Sequence, residues 1–109
     1  MTAAVRLAAA VEGATPRLLA ISDTAAGESR AAGQWSAKEV IGHLIDSASN
    51  NHGRFVRAQL RDDLLFEGYD GERWVETQRY CDAVWADLVA LWHGLNLHIA
   101  RVKIGRAHV

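Results

Sequence analysis

The chain has few residues of several kinds, and each shortage narrows what the protein can be. Its 109 residues include one cysteine and one proline, and 12 basic side chains nearly balance 13 acidic ones. A lone thiol, Cys81, excludes an internal disulfide framework and any zinc site built from paired cysteines. The net charge of −1 argues against a nucleic-acid binder that relies on a basic surface.

Long hydrophobic runs are also missing. No apolar stretch approaches the roughly 20 residues needed to cross a bilayer, and the N-terminus lacks the basic-then-apolar order of a signal peptide. Half of the residues are nevertheless hydrophobic, which is enough for a buried core in one compact domain. We therefore expect a soluble, cytoplasmic, single-domain protein with neither a nucleic-acid nor a membrane partner.

Strand patterns are scarce and helical spacing is plentiful. No period-two stretch of β-branched and aromatic residues is bounded by turn residues, so a sheet is not expected. Apolar residues recur at helical spacing in three long segments: Ala3 to Ile21, Ser36 to about Leu60, and a stretch that begins after Asp82. Pro16 predicts a kink or break near Thr15 in the first segment. The fold class is therefore all-α, an up-down helical bundle.

The helix boundaries carry their own signals. Ser36 and Glu39 form a capping box that starts the second long helix. Ser22 to Gly33 is predicted to be a loop with one short turn, and Arg61 to Gly71 another loop. Glu72 to Tyr80 predicts a short helix with Trp74 and Tyr80 facing inward.

The third long helix is predicted to begin at Asp82 as its N-cap. Its apolar seam is predicted to contain Val84, Leu88, Leu91, Leu95, His98 and Val102. If no further helix covers this face, an exposed apolar groove would run along Val84, Leu88, Leu91, Leu95 and the facing side of the second long helix, and it would favour association, for example as a homodimer.

The last six residues do not look like natural protein sequence. The peptide from Ile104 to Val109 matches the translation of a widely used sequencing-library adapter; the alternative is an ordinary polar C-terminus. We therefore expect residues 1–103 to be a partial natural domain and residues 104–109 an adapter-derived tail. On this hypothesis the reading frame is truncated within the third long helix.

One helix carries a continuous polar stripe beside its apolar one. The stripe contains His43, Asp46, Ser47, Asn50 and Arg54, which are spaced by three or four residues. A histidine followed by a carboxylate at i+3 is the arrangement of a metal ligand with a partner for its second ring nitrogen. A hydrogen-bonded structural histidine is the alternative that spacing alone leaves open.

The segment from Trp35 to Asp46 reads Trp-Ser-x-Lys-Glu-Val-x-Gly-His-Leu-x-Asp. It resembles the helix-two signature of the DinB-like, YfiT-like superfamily of four-helix bundles. Further similarity lies in the Asn51-His52-x-Arg54-Phe55 segment, in the Phe66-x-Gly68-Tyr69-Asp70 loop and at Trp74. The resemblance implies a metal-dependent hydrolase, or a transferase that uses a low-molecular-weight thiol. It also implies a zinc or nickel ion held by one histidine of helix two and an HxxxH pair of helix four.

Carried over to this chain, the resemblance assigns one metal ligand, His43. The HxxxH pair is absent, because His93 and His98 are five residues apart and lie on different helix faces. His108 belongs to the suspected tail. We therefore expect an inactive fragment that binds no metal by itself, since zinc affinity requires several preorganised ligands. The full-length parent is expected to act on a small-molecule substrate. The alternative is a non-catalytic bundle that binds partners or dimerises, with His43 structural.

Other candidates remain open or have simpler explanations. Asp46 is a hydrogen-bond acceptor for His43, a base near metal-bound water, or a solvated helix residue. His52 and His98 are expected to be satisfied core histidines. The four tryptophans, at positions 35, 74, 85 and 92, line a pocket or pack in the core, and helical spacing favours the core. Cys81 has neither a second cysteine nor an evident base beside it, so no nucleophilic role is assigned.

Overall fold

A computed structural model of the chain describes residues 2–60 and 68–107, and the side chains as far as residue 102. The described residues form helices and connecting turns, without strands. The three predicted long helices are present as α1 (Ala3–Leu19), α3 (Ala37–Leu60) and α5 (Trp85–Ala107). Two short helices, α2 (Asp23–Ala26) and α4 (Gly71–Gln78), and a 3-10 turn (Tyr80–Asp82) connect them. The all-α helical bundle is confirmed.

Of the kink or break predicted near Thr15, the break is wrong, because α1 continues through Pro16 to Leu19. Pro16 lies in the last turn, so its missing N–H removes one hydrogen bond from a helix that is about to end. The Thr15 hydroxyl donates to the Val11 carbonyl at 2.7 Å, and the Ala20 N–H donates to the Pro16 carbonyl. The short helix α2, capped by Ser22, is the turn predicted between residues 22 and 33.

The capping box of α3 is confirmed. The Glu39 carboxylate accepts from the Ser36 N–H at 3.1 Å, and the Ser36 hydroxyl accepts from the Glu39 N–H at 3.3 Å. Most of the predicted loop from Arg61 to Gly71 lies outside the described residues. Within it, residues 68–70 are irregular and Asp70 caps α4.

The middle helix of the bundle is α5, since α1 and α3 each pack along it and make no comparable contact with one another in the described ranges. Three helices side by side, each about 10 Å wide, account for the 30 Å second dimension of the molecule. A buried apolar cluster between α2, α3, α4, the 3-10 turn and α5 consists of Ala26, Ile41, Ile45, Val75, Tyr80, Trp85, Leu88 and Val89. Ala4 and Val11 of α1 are buried as well.

The predicted seam of α5 is only partly correct. Leu88 is buried and Leu95 packs on the core, but Val84 and Leu91 are more than half exposed. The buried face instead includes Trp85, Val89 and Ile99. The seam was placed from a steady alternation of steps of four and three, whereas a helix between two neighbours is apolar on more than one side. Of the predicted apolar groove, the exposed side chains of α5 are therefore Val84 and Leu91.

The N-terminus of α5 is not capped by Asp82, contrary to prediction. Asp82 forms an exposed ion pair with Arg79. The Asp23 carboxylate, 62 residues earlier in the chain, accepts from the Trp85 N–H at 2.8 Å. Asp23 also pairs with Lys38 at 3.2 Å, and the Lys38 side chain is only 6% exposed. This junction of Asp23, Lys38 and Trp85 connects α2, α3 and α5.

Candidate functional site

The polar stripe of α3 faces α4 and the turn that follows it, so the stripe is covered rather than solvated. Asp46 is the most buried member at 2% exposure, and His43, Ser47, Asn50 and Arg54 are half-buried. The alternative in which Asp46 is a solvated helix residue is therefore wrong. Two short elements, α4 and the 3-10 turn, bring the groups that meet the stripe.

Asp46 receives two hydrogen bonds on one carboxylate oxygen. Its Oδ1 accepts from the Tyr80 hydroxyl at 2.6 Å and from the Gln78 amide at 2.8 Å. Its Oδ2 is buried and has no hydrogen-bond partner within the described ranges. A buried acceptor without a donor is uncommon in proteins and often marks a functional group. We name Asp46, Tyr80 and Gln78 the Asp46 cluster.

The surroundings of the Asp46 cluster change the pKa of the Tyr80 phenol. Burial of the phenol, and then the hydrogen bond and negative charge of Asp46, raise the pKa of Tyr80 well above its ordinary value. The phenol therefore stays protonated and donates to the carboxylate throughout the neutral range. The Tyr80 hydroxyl also lies 2.9 Å from the Gln78 side-chain oxygen.

Gly42 allows this arrangement. A Cβ at position 42 would lie 2.0 Å from a ring carbon of Tyr80, far inside van der Waals contact. The ring of Tyr80 thus packs directly on the backbone of α3, one turn before Asp46. The left-handed conformation of Arg79, with φ of 53°, ends α4 and turns the chain so that Tyr80 points inward.

His43 lies beside the cluster on the same stripe. Its ring packs against Trp35, with centroids 5.2 Å apart, and against the backbone of Gly71. Its Nδ1 atom is buried and has no hydrogen-bond partner among the described residues. The alternative in which Asp46 accepts a hydrogen bond from His43 is therefore wrong, because the partners of Asp46 are Tyr80 and Gln78.

The rest of the stripe is engaged locally. The hydroxyls of Ser47 and Tyr69 are 2.7 Å apart, and the Tyr69 ring packs edge-on against Trp74 at 5.2 Å. The Asn50 amide donates back to the Asp46 carbonyl. Trp74 is 40% exposed, so the prediction that it faces inward is wrong, whereas the same prediction for Tyr80 is confirmed.

Not all of the tryptophans pack in the core, contrary to expectation. Trp85 is buried in the core and Trp92 packs against it, but Trp35 is more than one-third exposed and lies against His43. The expectation that His52 and His98 are buried core residues is also wrong: His52 is half-buried and His98 is exposed. Cys81 is exposed, with its sulfur 3.6 Å from the Ser36 hydroxyl.

Gln78 is the member of the cluster that sequence reasoning missed. A glutamine at the end of a short helix has no pattern that distinguishes it from a solvated residue. Tyr69 was noted only as part of a motif, and its contact with Ser47 depends on the path of the chain between α3 and α4.

No group of three or more histidine, cysteine or acidic side chains able to hold a metal ion occurs in residues 2–60 and 68–102. His43 is thus a potential ligand that belongs to no group of three within those ranges. In the part of the chain described, no helix combines the length and apolarity needed to span a membrane.

Compared with known proteins, the chain matches no family model, no curated protein and no solved structure. Its class is therefore defined here by the all-α bundle and by the buried polar groups on α3.

Proposed function

We propose that the chain is part of a divalent-metal-dependent enzyme of the DinB-like type, with His43 as one ligand to zinc or nickel. The reaction would be hydrolysis, or transfer of a low-molecular-weight thiol to a small-molecule substrate, in the cytoplasm. The observation that supports this proposal most is the buried Nδ1 of His43, which has no hydrogen-bond partner among residues 2–60 and 68–102. It lies on the same stripe as a carboxylate oxygen of Asp46 that also has no partner within those residues.

The residues described do not by themselves fit a complete metal centre. Structural and catalytic zinc sites use three or four protein ligands, whereas His43 belongs to no group of three or more such ligands in the described ranges. The remaining ligands would have to come from other residues or from another chain. We therefore assign no catalytic step to a metal here, and we expect the 109-residue chain alone to be inactive.

What the described residues supply is a fixed position for the imidazole. Trp35 packs against the ring and Gly71 lies close to it, and the Asp46 cluster sets a buried carboxylate one turn further along α3. A ligand held in one orientation costs less conformational entropy on binding than a free one.

A second candidate function is a non-catalytic bundle that binds a partner or forms a homodimer, with His43 structural. The observation that favours it is the exposed apolar side chains of Val40, Leu44, Val84 and Leu91. Apolar side chains at helix surfaces are typical of association faces when they form a contiguous patch. In this case His43 would contribute packing against Trp35 and nothing else.

The metal content of the protein distinguishes the two functions. The gene that encodes this chain would be expressed to its own stop codon, and the purified product analysed by mass spectrometry for zinc and nickel. We expect about one equivalent of metal, lost in His43→Ala and retained in His93→Ala, because His93 is engaged with Glu12 at 2.6 Å. A folded product without metal above background would contradict the enzyme proposal and support the second.

A further inference from the structure

Two histidines meet across the interface between α3 and α5, away from the candidate site. The rings of His52 and His98 have centroids 5.1 Å apart, and their planes are inclined by 64°. We propose that His52 and His98 form an interhelical two-histidine site for a borderline divalent cation such as Zn²⁺. This inference does not depend on the proposed function.

The separation of the rings suits a shared cation. When two imidazoles bind one tetrahedral Zn²⁺ at about 2.0–2.1 Å, simple geometry places their centroids about 5 Å apart. Rings inclined to one another can direct a nitrogen each towards a common point, whereas parallel stacked rings cannot. The observed pair has this centroid separation and is not stacked in parallel; its present arrangement is an edge-on contact between the two rings.

Both rings are available to a ligand. Neither imidazole makes a hydrogen bond or ion pair with a described residue, so binding would displace no protein partner. His98 is exposed and His52 is half-buried, which gives a cation access from solvent. By contrast, His93 is already engaged with the Glu12 carboxylate.

The two ligands are held by packed helices rather than loops. α3 and α5 contact each other along much of their length, so the backbones that carry the two rings are fixed relative to one another. Preorganised ligands bind metal more tightly than mobile ones. Water molecules would complete the coordination, and we therefore expect weaker binding than in a three-histidine site.

The pair is also separate from His43. His52 follows His43 by nine residues, or two and a half turns of α3, so the two side chains lie on opposite faces of the helix. His43 faces α4 and the Gly71 backbone, whereas His52 faces α5. A metal bound at one position does not require the other.

The test is a titration of the 109-residue chain with ZnCl₂, followed by NMR of the histidine rings. Of the two other imidazoles in the chain, the His108→Ala background removes that of His108, and the His43→Ala variant described below removes that of His43 from the comparison. We expect the ring resonances of His52 and His98 to shift together with one binding curve, and the ring of His93 to stay unchanged. Lowering the pH should weaken binding, because only the neutral imidazole binds metal.

Variants provide the second readout. His52→Ala and His98→Ala should each weaken Zn²⁺ binding by about tenfold or more, because each leaves one ligand, whereas His43→Ala and His93→Ala should leave it unchanged. Ring resonances of His52 and His98 that do not move with Zn²⁺ would overturn the proposal. Zn²⁺ binding by His52→Ala or His98→Ala that is as tight as in wild type would also overturn it. The wild-type NMR result stands even where a variant fails to fold.

Discussion

Two ionisable side chains of α3, Lys38 and Asp46, are buried, and they differ in the partners that they contact. Lys38 is buried, and its ammonium meets the Asp23 carboxylate, which also receives the first N–H of α5. Asp46 is equally buried, yet it meets only the neutral donors Tyr80 and Gln78, and one of its oxygens has no partner in the described ranges.

The difference separates a structural junction from a candidate site. A buried charge with an opposite partner is compensated and has little further capacity to bind. A buried carboxylate that meets only neutral donors and retains an acceptor without a donor is costly unless something else uses that acceptor. Lys38 and Asp23 thus hold helices together, whereas Asp46 and the nearby His43 have capacity left for a ligand.

The largest effect should come from closing the space under Tyr80. Gly42→Ala places a Cβ where the Tyr80 ring lies, 2.0 Å from its carbon, so the ring must move away from Asp46. We expect a loss of about 3 kcal/mol in the free energy of unfolding, measured by urea denaturation.

The matched control is Gly94→Ala in the middle of α5, where an added Cβ meets nothing within 4 Å. This variant should be more stable than wild type by about 0.5–1 kcal/mol, because alanine favours a helix over glycine. Equal effects of the two substitutions would contradict the packing of Tyr80 on α3.

The second prediction concerns the junction. Asp23→Ala leaves the buried Lys38 ammonium without its carboxylate and removes the acceptor for the Trp85 N–H. The urea midpoint should fall less than in Gly42→Ala but more than in any single variant of the Asp46 cluster. Asp82→Ala, which removes only the exposed pair with Arg79, should leave the midpoint nearly unchanged.

The pH dependence of the junction has a defined sign. The Trp85 N–H, and then Lys38, lower the pKa of Asp23 below its ordinary value of 3.8. Asp23 therefore stabilises the fold above that pH, and the stabilisation is lost as the pH falls through the lowered pKa. The stability difference between wild type and Asp23→Ala should be constant near neutrality and shrink in acid below pH 3.8. A difference that does not change with pH would refute the ion pair.

A smaller effect is expected from Tyr80→Phe, which removes one donor to Asp46 and keeps the ring. We expect a loss of about 1–2 kcal/mol, because a hydrogen bond to a buried charged group is lost. In wild type, an absorbance titration should show that one of the two tyrosines ionises at a higher pH than a free phenol. Asp46→Asn should move this ionisation to lower pH, and Tyr80→Phe should abolish it.

The sign for Tyr80 is opposite to that for Asp23. Its raised pKa means that its contribution is complete below the ordinary tyrosine value of 10.0 and is lost as the pH rises through the higher folded value. Two tyrosines that ionise together near pH 10 in the folded protein would contradict the buried hydrogen bond.

The smallest effect should follow from removing the steric cost of the left-handed backbone conformation between α4 and the 3-10 turn. Arg79 adopts a left-handed conformation that glycine accepts without steric cost. Arg79→Gly should stabilise the fold by up to about 1 kcal/mol, reduced by loss of the exposed pair with Asp82. Destabilisation in thermal unfolding would show that the Arg79 side chain has a further role.

Local patterns predicted most of the fold. The capping box at Ser36, the ends of α3 and the inward position of Tyr80 depend on residues close in sequence, and the structure confirms them. The cap of α5 was mispredicted because the acceptor for the Trp85 N–H comes from Asp23, which no local pattern indicates. The predicted seam of α5 is only partly correct because a helix that packs between two neighbours is apolar on more than one face, and its spacing does not define a single seam.

The site was predictable only in part. The stripe that contains His43 and Asp46 follows from helical spacing, but the residues that cover it come from α4. The contact of Gln78 with Asp46 spans 32 residues, and single-sequence patterns do not indicate such a pair. The metal assignment for His43 depended on resemblance rather than on spacing and stays a prediction.

The most direct test of the contrast between junction and site is the thermal midpoint with and without Zn²⁺. The product of the natural gene, read to its own stop codon and carrying His52→Ala to remove the interhelical pair, would be compared with added His43→Ala or Asp23→Ala. We predict that Zn²⁺ raises the midpoint, that His43→Ala abolishes this rise, and that Asp23→Ala lowers the midpoint but preserves the rise. A rise that survives His43→Ala, or no rise at all, would contradict the assignment of a ligand site to this face of α3.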